Sequence, residues 1–276
     1  VAGNTVLGES ALDASVSGGN NTAIGKQSLT ALTSGSSNTS VGFDSLAATT
    51  TGSDNIGIGS KSLFTNSTGS NNVAIGVSAL RNSTGDDNTA IGRSALFANT
   101  SGTSNVGLGK NVLAANTTAS NNTAVGANAL DSNTTANDNT AIGFFALAAN
   151  TTGTRNTVMG SGALDANTTA NDNTGVGYAS LTANTTGISN TGLGSFALSS
   201  NTTASNNTAI GFQSLLLNTT GGSNTATGKN SLANNTTGSD NAAYGVESLE
   251  NNTTANNNTA VGYRSLRANT TGDKNT

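Results

Sequence analysis

The sequence contains no cysteine, histidine, proline or tryptophan, and Met159 is its only methionine. Without thiols there is neither a disulfide framework nor a thiol nucleophile, and without imidazole the usual proton carrier near neutral pH is missing. Only 9% of the residues are charged and the formal net charge is −4. That balance excludes the basic stripe on which nucleic acids or anionic membranes are held. No apolar run approaches the ~18 residues of a membrane span, so membrane insertion is not expected. The opening Val1-Ala2-Gly3-Asn4 lacks the basic start and apolar core of a signal peptide, so export, if it happens, is encoded elsewhere.

Asn, Thr, Ser and Gly are abundant, a composition that alone would suit a disordered chain. An internal repeat argues against disorder. Asn opens a unit at Asn4, Asn21, Asn38, Asn55, Asn72, Asn88, Asn105, Asn122 and Asn139, and again at Asn156, Asn173, Asn190, Asn207, Asn224, Asn241, Asn258 and Asn275. Fifteen of the sixteen intervals are seventeen residues and one is sixteen. With that Asn as position one, position five is Gly in every full unit (Gly25, Gly143, Gly211) and position nine is Leu (Leu29, Leu147, Leu215). Position four is aliphatic until Thr227 and Tyr244, and position three is small. The short interval, Asn72 to Asn88, reads as the loss of one residue between Leu80 and Asn82, in a connection rather than a paired strand.

Seventeen residues are too few for a helical hairpin, and the residue types disfavour helix, which leaves strands. A five-residue strand such as Asn21 to Gly25 is predicted, with Thr22 and Ile24 on one face and Ala23 and Gly25 on the other. Position-two Thr and position-four Ile are expected to face inward. The two large apolar side chains of one unit cannot offset the entropy of ordering it, so units must stack. The predicted fold is an all-β parallel solenoid of one coil per repeat, about sixteen coils and ~75–80 Å long at ~4.8 Å per coil. Residues 1–276 read as a single array that starts and ends inside a unit, hence as a segment of a longer fibre.

Identical residues then form ladders. Asn21, Asn139 and Asn207 are ladder candidates, each amide donating to one neighbour and accepting from another, with a solvent-facing turn Asn as the alternative. Gly at position five suggests positive φ or close backbone approach. Position fifteen takes both Gly (Gly153, Gly187, Gly221) and Ala (Ala136, Ala170, Ala204), so no left-handed conformation is expected there. The first three units place Ser15, Leu32 and Thr49 where later units have Asn.

The strings Asn21-Thr22-Ala23-Ile24-Gly25, Asn139-Thr140-Ala141-Ile142-Gly143 and Asn207-Thr208-Ala209-Ile210-Gly211 resemble the S/N-x-A-I-G strand of trimeric autotransporter adhesin heads, the YadA-like repeats. The whole pattern, with Asn-Thr-Thr-Gly between units, also resembles the repeat shafts of bacterial and phage tail-fibre-like proteins. The resemblance covers the full chain at the level of the repeat. It implies a left-handed β-roll, self-association as a homotrimer or fibre, an extracellular place on a cell surface or virion, and a surface receptor or glycan as partner. The adhesin-head units are shorter, and neither their neck and stalk nor a terminal chaperone is present. A thin core with a small Ala/Gly face that gains from burial against other chains points the same way, with a monomeric roll as the rival.

Candidate sites are few. Gly57-Ile58-Gly59, Gly107-Leu108-Gly109 and Gly175-Val176-Gly177 look like phosphate loops but fall on positions three and five, with no helix following. Asp54, Asp86, Asp87, Asp138, Asp172 and Asp240 recur too rarely for a calcium repeat and suit turns. Asp131, Asp165 and Glu250 sit at position ten of separated coils without a neighbouring acid. No catalytic residue, metal ligand or cofactor is assigned. The aromatics at positions six and seven (Phe43, Phe144, Phe145, Tyr178, Phe196, Phe212, Tyr263) and ten (Phe64, Phe97) suit edge cover or another chain, with a carbohydrate platform as the alternative.

The Asn-x-Ser/Thr sequon recurs at Asn66, Asn82, Asn99, Asn116, Asn133, Asn150, Asn167, Asn184, Asn201, Asn218, Asn235, Asn252 and Asn269, always at the same point of the unit. Glycosylated, the row would carry sugars along one edge; otherwise Asn-Thr-Thr is turn chemistry. The function expected is a non-catalytic structural shaft or adhesin. Ice binding by Thr rows at positions two, thirteen and fourteen competes but needs an outward Thr face, and a solenoid lyase would need a cluster of acids or bases that the chain lacks.

Overall fold

In a computed structural model, residues 3–276 are described; Val1 and Ala2, and with them the start of the signal-peptide argument, lie outside. The chain divides into two compact units, Val1–Asp138 and Asn139–Thr276. Both are all-β, and no helix occurs among the described residues. The first unit carries β1 (Thr5–Leu7), β2 (Thr22–Ile24), β3 (Thr39–Val41), β4 (Ile56–Ile58), β5 (Val73–Ile75), β6 (Thr89–Ile91), β7 (Val106–Leu108) and β8 (Thr123–Val125). The second carries β9 (Thr140–Ile142), β10 (Thr157–Met159), β11 (Thr174–Val176), β12 (Thr191–Leu193), β13 (Thr208–Ile210), β14 (Thr225–Thr227), β15 (Ala242–Tyr244) and β16 (Thr259–Val261).

Within each unit consecutive strands pair in parallel and in identical register, Thr22 opposite Thr39 and Ile24 opposite Val41 in the first, Thr191 opposite Thr208 and Leu193 opposite Ile210 in the second. Each unit is thus a parallel β-solenoid with one repeat per coil. The bonding continues beyond the strands: Leu29 N donates to Ser45 O at 3.1 Å, Thr33 N to Thr50 O at 2.9 Å and Ser37 N to Gly19 O at 3.0 Å. Nearly every segment of a coil therefore leans on its neighbour, as the energetics of a lone repeat require.

The strands are three residues long, not five, because Gly at position five leaves extended geometry for φ of +120° to +146°. A Cβ at Gly25 would lie 2.5 Å from Gly42 O, so both reasons for an invariant Gly operate at once. Position fifteen has no positive φ with either Gly or Ala, as its mixed occupancy implies.

The faces are the reverse of those expected. Position three (Ala23, Ala74, Ala124, Ala209) is fully buried, whereas Thr at position two and the aliphatic at position four point outward and are half-buried or exposed. The large apolar residue of the core is Leu at position nine, completely buried from Leu29 to Leu249. The inversion has a steric cause: the interior is narrowed by two rows of Asn and beside Leu takes small side chains, with Val158 the largest of those buried there. The Ala/Gly face is therefore the solenoid's own interior and is not available to another chain.

Two further backbone features lie outside the propensities of the residues involved. Position seven has φ near +55° in every coil, and so does the bulky Leu at position nine, for example Leu113 at 49°. Left-handed Leu is an outlier; here it is overdetermined by the coil-to-coil bond of its N–H and the burial of its side chain. Position seventeen is also left-handed, and there Asn, Asp and Ser predominate, residues that tolerate it.

The short coil closes differently from its sequence alignment. Ser83 N bonds to Leu80 O at 3.3 Å, as Asn99 N does to Leu96 O at 3.2 Å, which puts Ser83 at position twelve. The missing residue is thus position fourteen, not one between Leu80 and Asn82. Asn-Ser-Thr aligned with Asn-Thr-Thr by residue type, but Leu fixes the geometry that follows it.

Candidate functional site

Two asparagine ladders line the interior. At position one, Asn21 Oδ1 accepts from the backbone N–H and the side-chain amide of Asn38 at 2.9 and 3.1 Å, and Asn38 Nδ2 also donates to Gly52 O at 2.9 Å. Asn156 bonds in the same way to Asn139 Oδ1 in the second unit, and Asn207 to Asn190 Oδ1. The ladder predicted from Asn21, Asn139 and Asn207 is present, and the turn alternative is not. Leu29, Leu147 and Leu215 stack beside it, and Gly25, Gly143 and Gly211 hold its corner.

The second ladder is position twelve, read from the sequence as an exposed sequon or turn. Asn66, Asn99, Asn116, Asn133, Asn150, Asn167, Asn184, Asn201, Asn218, Asn235 and Asn252 are fully buried. Each donates Nδ2 to the carbonyl three residues on, at 2.8–3.2 Å. An edge of glycans has no exposed row of amides to carry it. Asn82 is the exception inside the array: the deletion moves it to position eleven, half-buried, while Ser83 takes the inner slot and accepts from Asn99 Nδ2 at 2.9 Å. Asn269, in the last coil, is also half-buried. Leu32 fills the slot in the second coil and Thr49 in the third, where its hydroxyl has no partner.

The outer strand face carries Thr at position two beside a row of Ile, Val, Leu or Met at position four. Ile58, Ile91, Met159 and Ile210 are exposed, Met159 by 49%. In each unit this makes a ribbon of hydroxyls and aliphatics on a continuous parallel sheet.

Charges are sparse and pair between successive coils. Arg155 grips Asp172 with two bonds of 2.7 and 2.9 Å, Arg264 binds Glu247 at 2.6 Å and Arg267 binds Glu250 at 2.5 Å. These guanidinium bonds hold the Asp172 and Glu247 carboxyls below their usual range and raise Arg264. Burial pushes Asp131 up. Asp54, Asp87, Asp138, Asp172 and Asp240 occupy left-handed position seventeen, and Asp86 accepts from Ser70 N at 2.8 Å, so all six serve turns. No group of three or more His, Cys, Asp or Glu placed to hold a metal occurs among the described residues.

The aromatics form local runs along the edge at positions six, seven and ten. Tyr178 meets Phe196 edge to face at 5.2 Å, and Phe196 meets Phe212 at 6.4 Å. Phe64 takes Lys61 and Arg81 over its ring, Phe97 takes Arg81, and Tyr263 takes Arg264. Compared with known proteins, the chain matches no family model and no curated sequence.

Proposed function

We propose that this chain is a non-catalytic structural shaft of an extracellular fibre or adhesin, on a cell surface or virion, and that it associates with copies of itself as a homotrimer or fibre. The observation that carries this reading is the identical register of every coil within each unit, with bonds from coil to coil through strand and turn alike. Such a stack is held by the same bonds at every interface, which suits load carried along its axis. The resemblance of the Asn-Thr-Ala-Ile-Gly strings to adhesin heads and tail-fibre shafts supports the same reading.

Self-association has a surface to use, though not the Ala/Gly face. The exposed position-four aliphatics form a stripe of the kind soluble monomers rarely leave uncovered, and a second copy offers a matching stripe at the same coil spacing. The test combines sedimentation mass with small-angle scattering. A multiple of the chain mass and a rod-like profile are expected, and a compact monomer would end the reading. Replacing Ile58 and Ile91 by Lys, both exposed, should leave coil folding intact and return the mass to that of one chain.

A second reading is favoured by one observation: position-two Thr faces outward, in an unbroken row from Thr140 to Thr225 in the second unit, as an ice-binding surface requires. Thermal hysteresis and ice shaping by the purified chain would support it; their absence would remove it.

A further inference from the structure

One interruption of the aromatic edge has no structural cause. Position seven is left-handed in every coil and accepts Phe145, Ala179 and Phe196, yet at Gly162, with φ of 62°, there is no side chain at all. Nothing in the backbone demands glycine there, since neighbouring coils adopt the same φ with larger residues. A Cβ at Gly162 would meet only Asp165 Oδ2, 4.0 Å away. Gly162 lies in a cleft of about 260 Å³ that crosses three successive coils of the second unit.

Phe144 and Tyr178, both at position six, flank this cleft from coils two steps apart, a separation of ~9.6 Å at ~4.8 Å per step. They are 56% and 58% exposed, and Phe145 stands edge-on to Phe144 at 4.5 Å. The floor is polar. Asp165 Oδ1 accepts from the Thr182 hydroxyl at 2.6 Å, which fixes the carboxylate and leaves Oδ2 directed at the gap, while Ser161 adds an exposed hydroxyl.

We propose that this cleft binds one hexopyranose unit of a neutral glycan. The apolar C–H face of the sugar would rest against the Phe144 and Tyr178 rings, with its hydroxyls donating to Asp165 Oδ2 and pairing with Ser161. An ordered set of several oxygens beside aromatic faces suits a polyol. A quaternary ammonium ion would be drawn by the rings and the Asp165 carboxylate but has no donor for Asp165 Oδ2 and nothing to pair with Ser161. The proposal goes beyond the shaft reading and does not depend on it, because the cleft is built within one stretch of coils and its occupancy is measured independently of assembly.

The test is saturation-transfer NMR on the full chain with methyl glucopyranoside, galactopyranoside and mannopyranoside, and with tetramethylammonium as a separate probe. Transfer to at least one glycoside is expected. Gly162→Phe should abolish it while the circular dichroism is unchanged, since Phe145 already occupies the equivalent position and conformation. Tyr178→Ser, at an exposed site away from the core, and Asp165→Asn should each weaken binding about tenfold. No transfer from any glycoside, transfer unaffected by Gly162→Phe and Tyr178→Ser, or binding of tetramethylammonium alone would overturn the proposal.

Discussion

Asn105 and Asn116 donate to the same main-chain carbonyl, that of Ala119, at 2.8 and 3.0 Å. The two amides come from opposite walls of one coil, and each also bonds to its counterpart in an adjoining coil, Asn105 to Asn88 and Asn116 to Asn99. The interior is thus cross-braced within a coil and tied between coils by the same side chains. Because those amides are buried, each bond removed leaves a polar partner without water.

Asn116→Asp is the sharpest test of that bracing. Aspartate has the shape but, when ionised, no donor, so Asn99 Oδ1 loses its partner, Ala119 O keeps only the bond from Asn105, and a charge enters a dry interior. A loss of about 3 kcal/mol or more is expected. Asn116→Leu should cost less, about 1–3 kcal/mol, since Leu32 fills the equivalent slot of an earlier coil with complete burial. Denaturant unfolding of both variants ranks them; an Asp variant as stable as the parent would refute the ladder.

The period and the Asn, Gly and Leu rows were legible because stacking repeats each residue at one geometric position, so invariance along the chain reports a shared constraint. The orientation of the strand was not. Alternation places Thr22 with Ile24 and apart from Ala23, but it does not say which side is inside. That was decided by the second Asn wall, and Asn66 onward looked like turn chemistry because Asn-Thr-Thr is also what turns use. Left-handed Leu29 and Leu113 left no signal, since Leu is not a residue chosen for that conformation. The deletion was misplaced because residue type and geometric position part company at Asn82.

Two glycines separate sharply by their conformations. Gly109 has φ of 142°, and a Cβ there would lie 2.6 Å from Gly126 O. Gly109→Ala combines backbone strain with a clash against main chain and should cost about 2–3 kcal/mol or more. Gly162→Ala, by contrast, enters a left-handed conformation that Ala179 already adopts at 51°, with space for the methyl. Its thermal midpoint should match the parent or exceed it slightly, because the unfolded chain loses freedom. Equal losses in the two variants would show that stacking does not impose the geometry described.

Expression in cells that glycosylate Asn-x-Ser/Thr should place glycan on accessible sequons such as Asn82, Asn121, Asn206, Asn257 and Asn269 and on none of the buried ladder residues. A sugar on Asn116 Nδ2 would both remove a donor and require room that the interior lacks, so chains modified there would fail to fold and would not be recovered. Peptide mass mapping after enzymatic deglycosylation in oxygen-18 water reads the sites directly. Substantial occupancy at Asn116 or Asn133 in folded protein would contradict the inward ladder.

Stability should be nearly independent of pH from about 6 to 8, because no His or Cys titrates there. The acid limb carries the charges. Asp172 and Glu247 have folded-state pKa values depressed first by the hydrogen bonds of Arg155 and Arg264. A depressed carboxylate adds stability above its unfolded pKa, about 4, and loses it as pH falls through the lower folded value. Asp131 acts in the opposite sense: burial raises its pKa, so its contribution is present below the unfolded value and is lost as pH rises through the folded one. Asp172 is exposed and Glu247 half-buried at the surface, both within reach of salt, so their effect should be small and should shrink further at high ionic strength. Thermal midpoints measured against pH should show a plateau above about pH 6 and a shallow fall below about pH 4. The double variant Asp172→Asn with Glu247→Gln should flatten that fall. A steep transition centred near pH 6 would instead demand a buried titrating group that the ladders leave no room for.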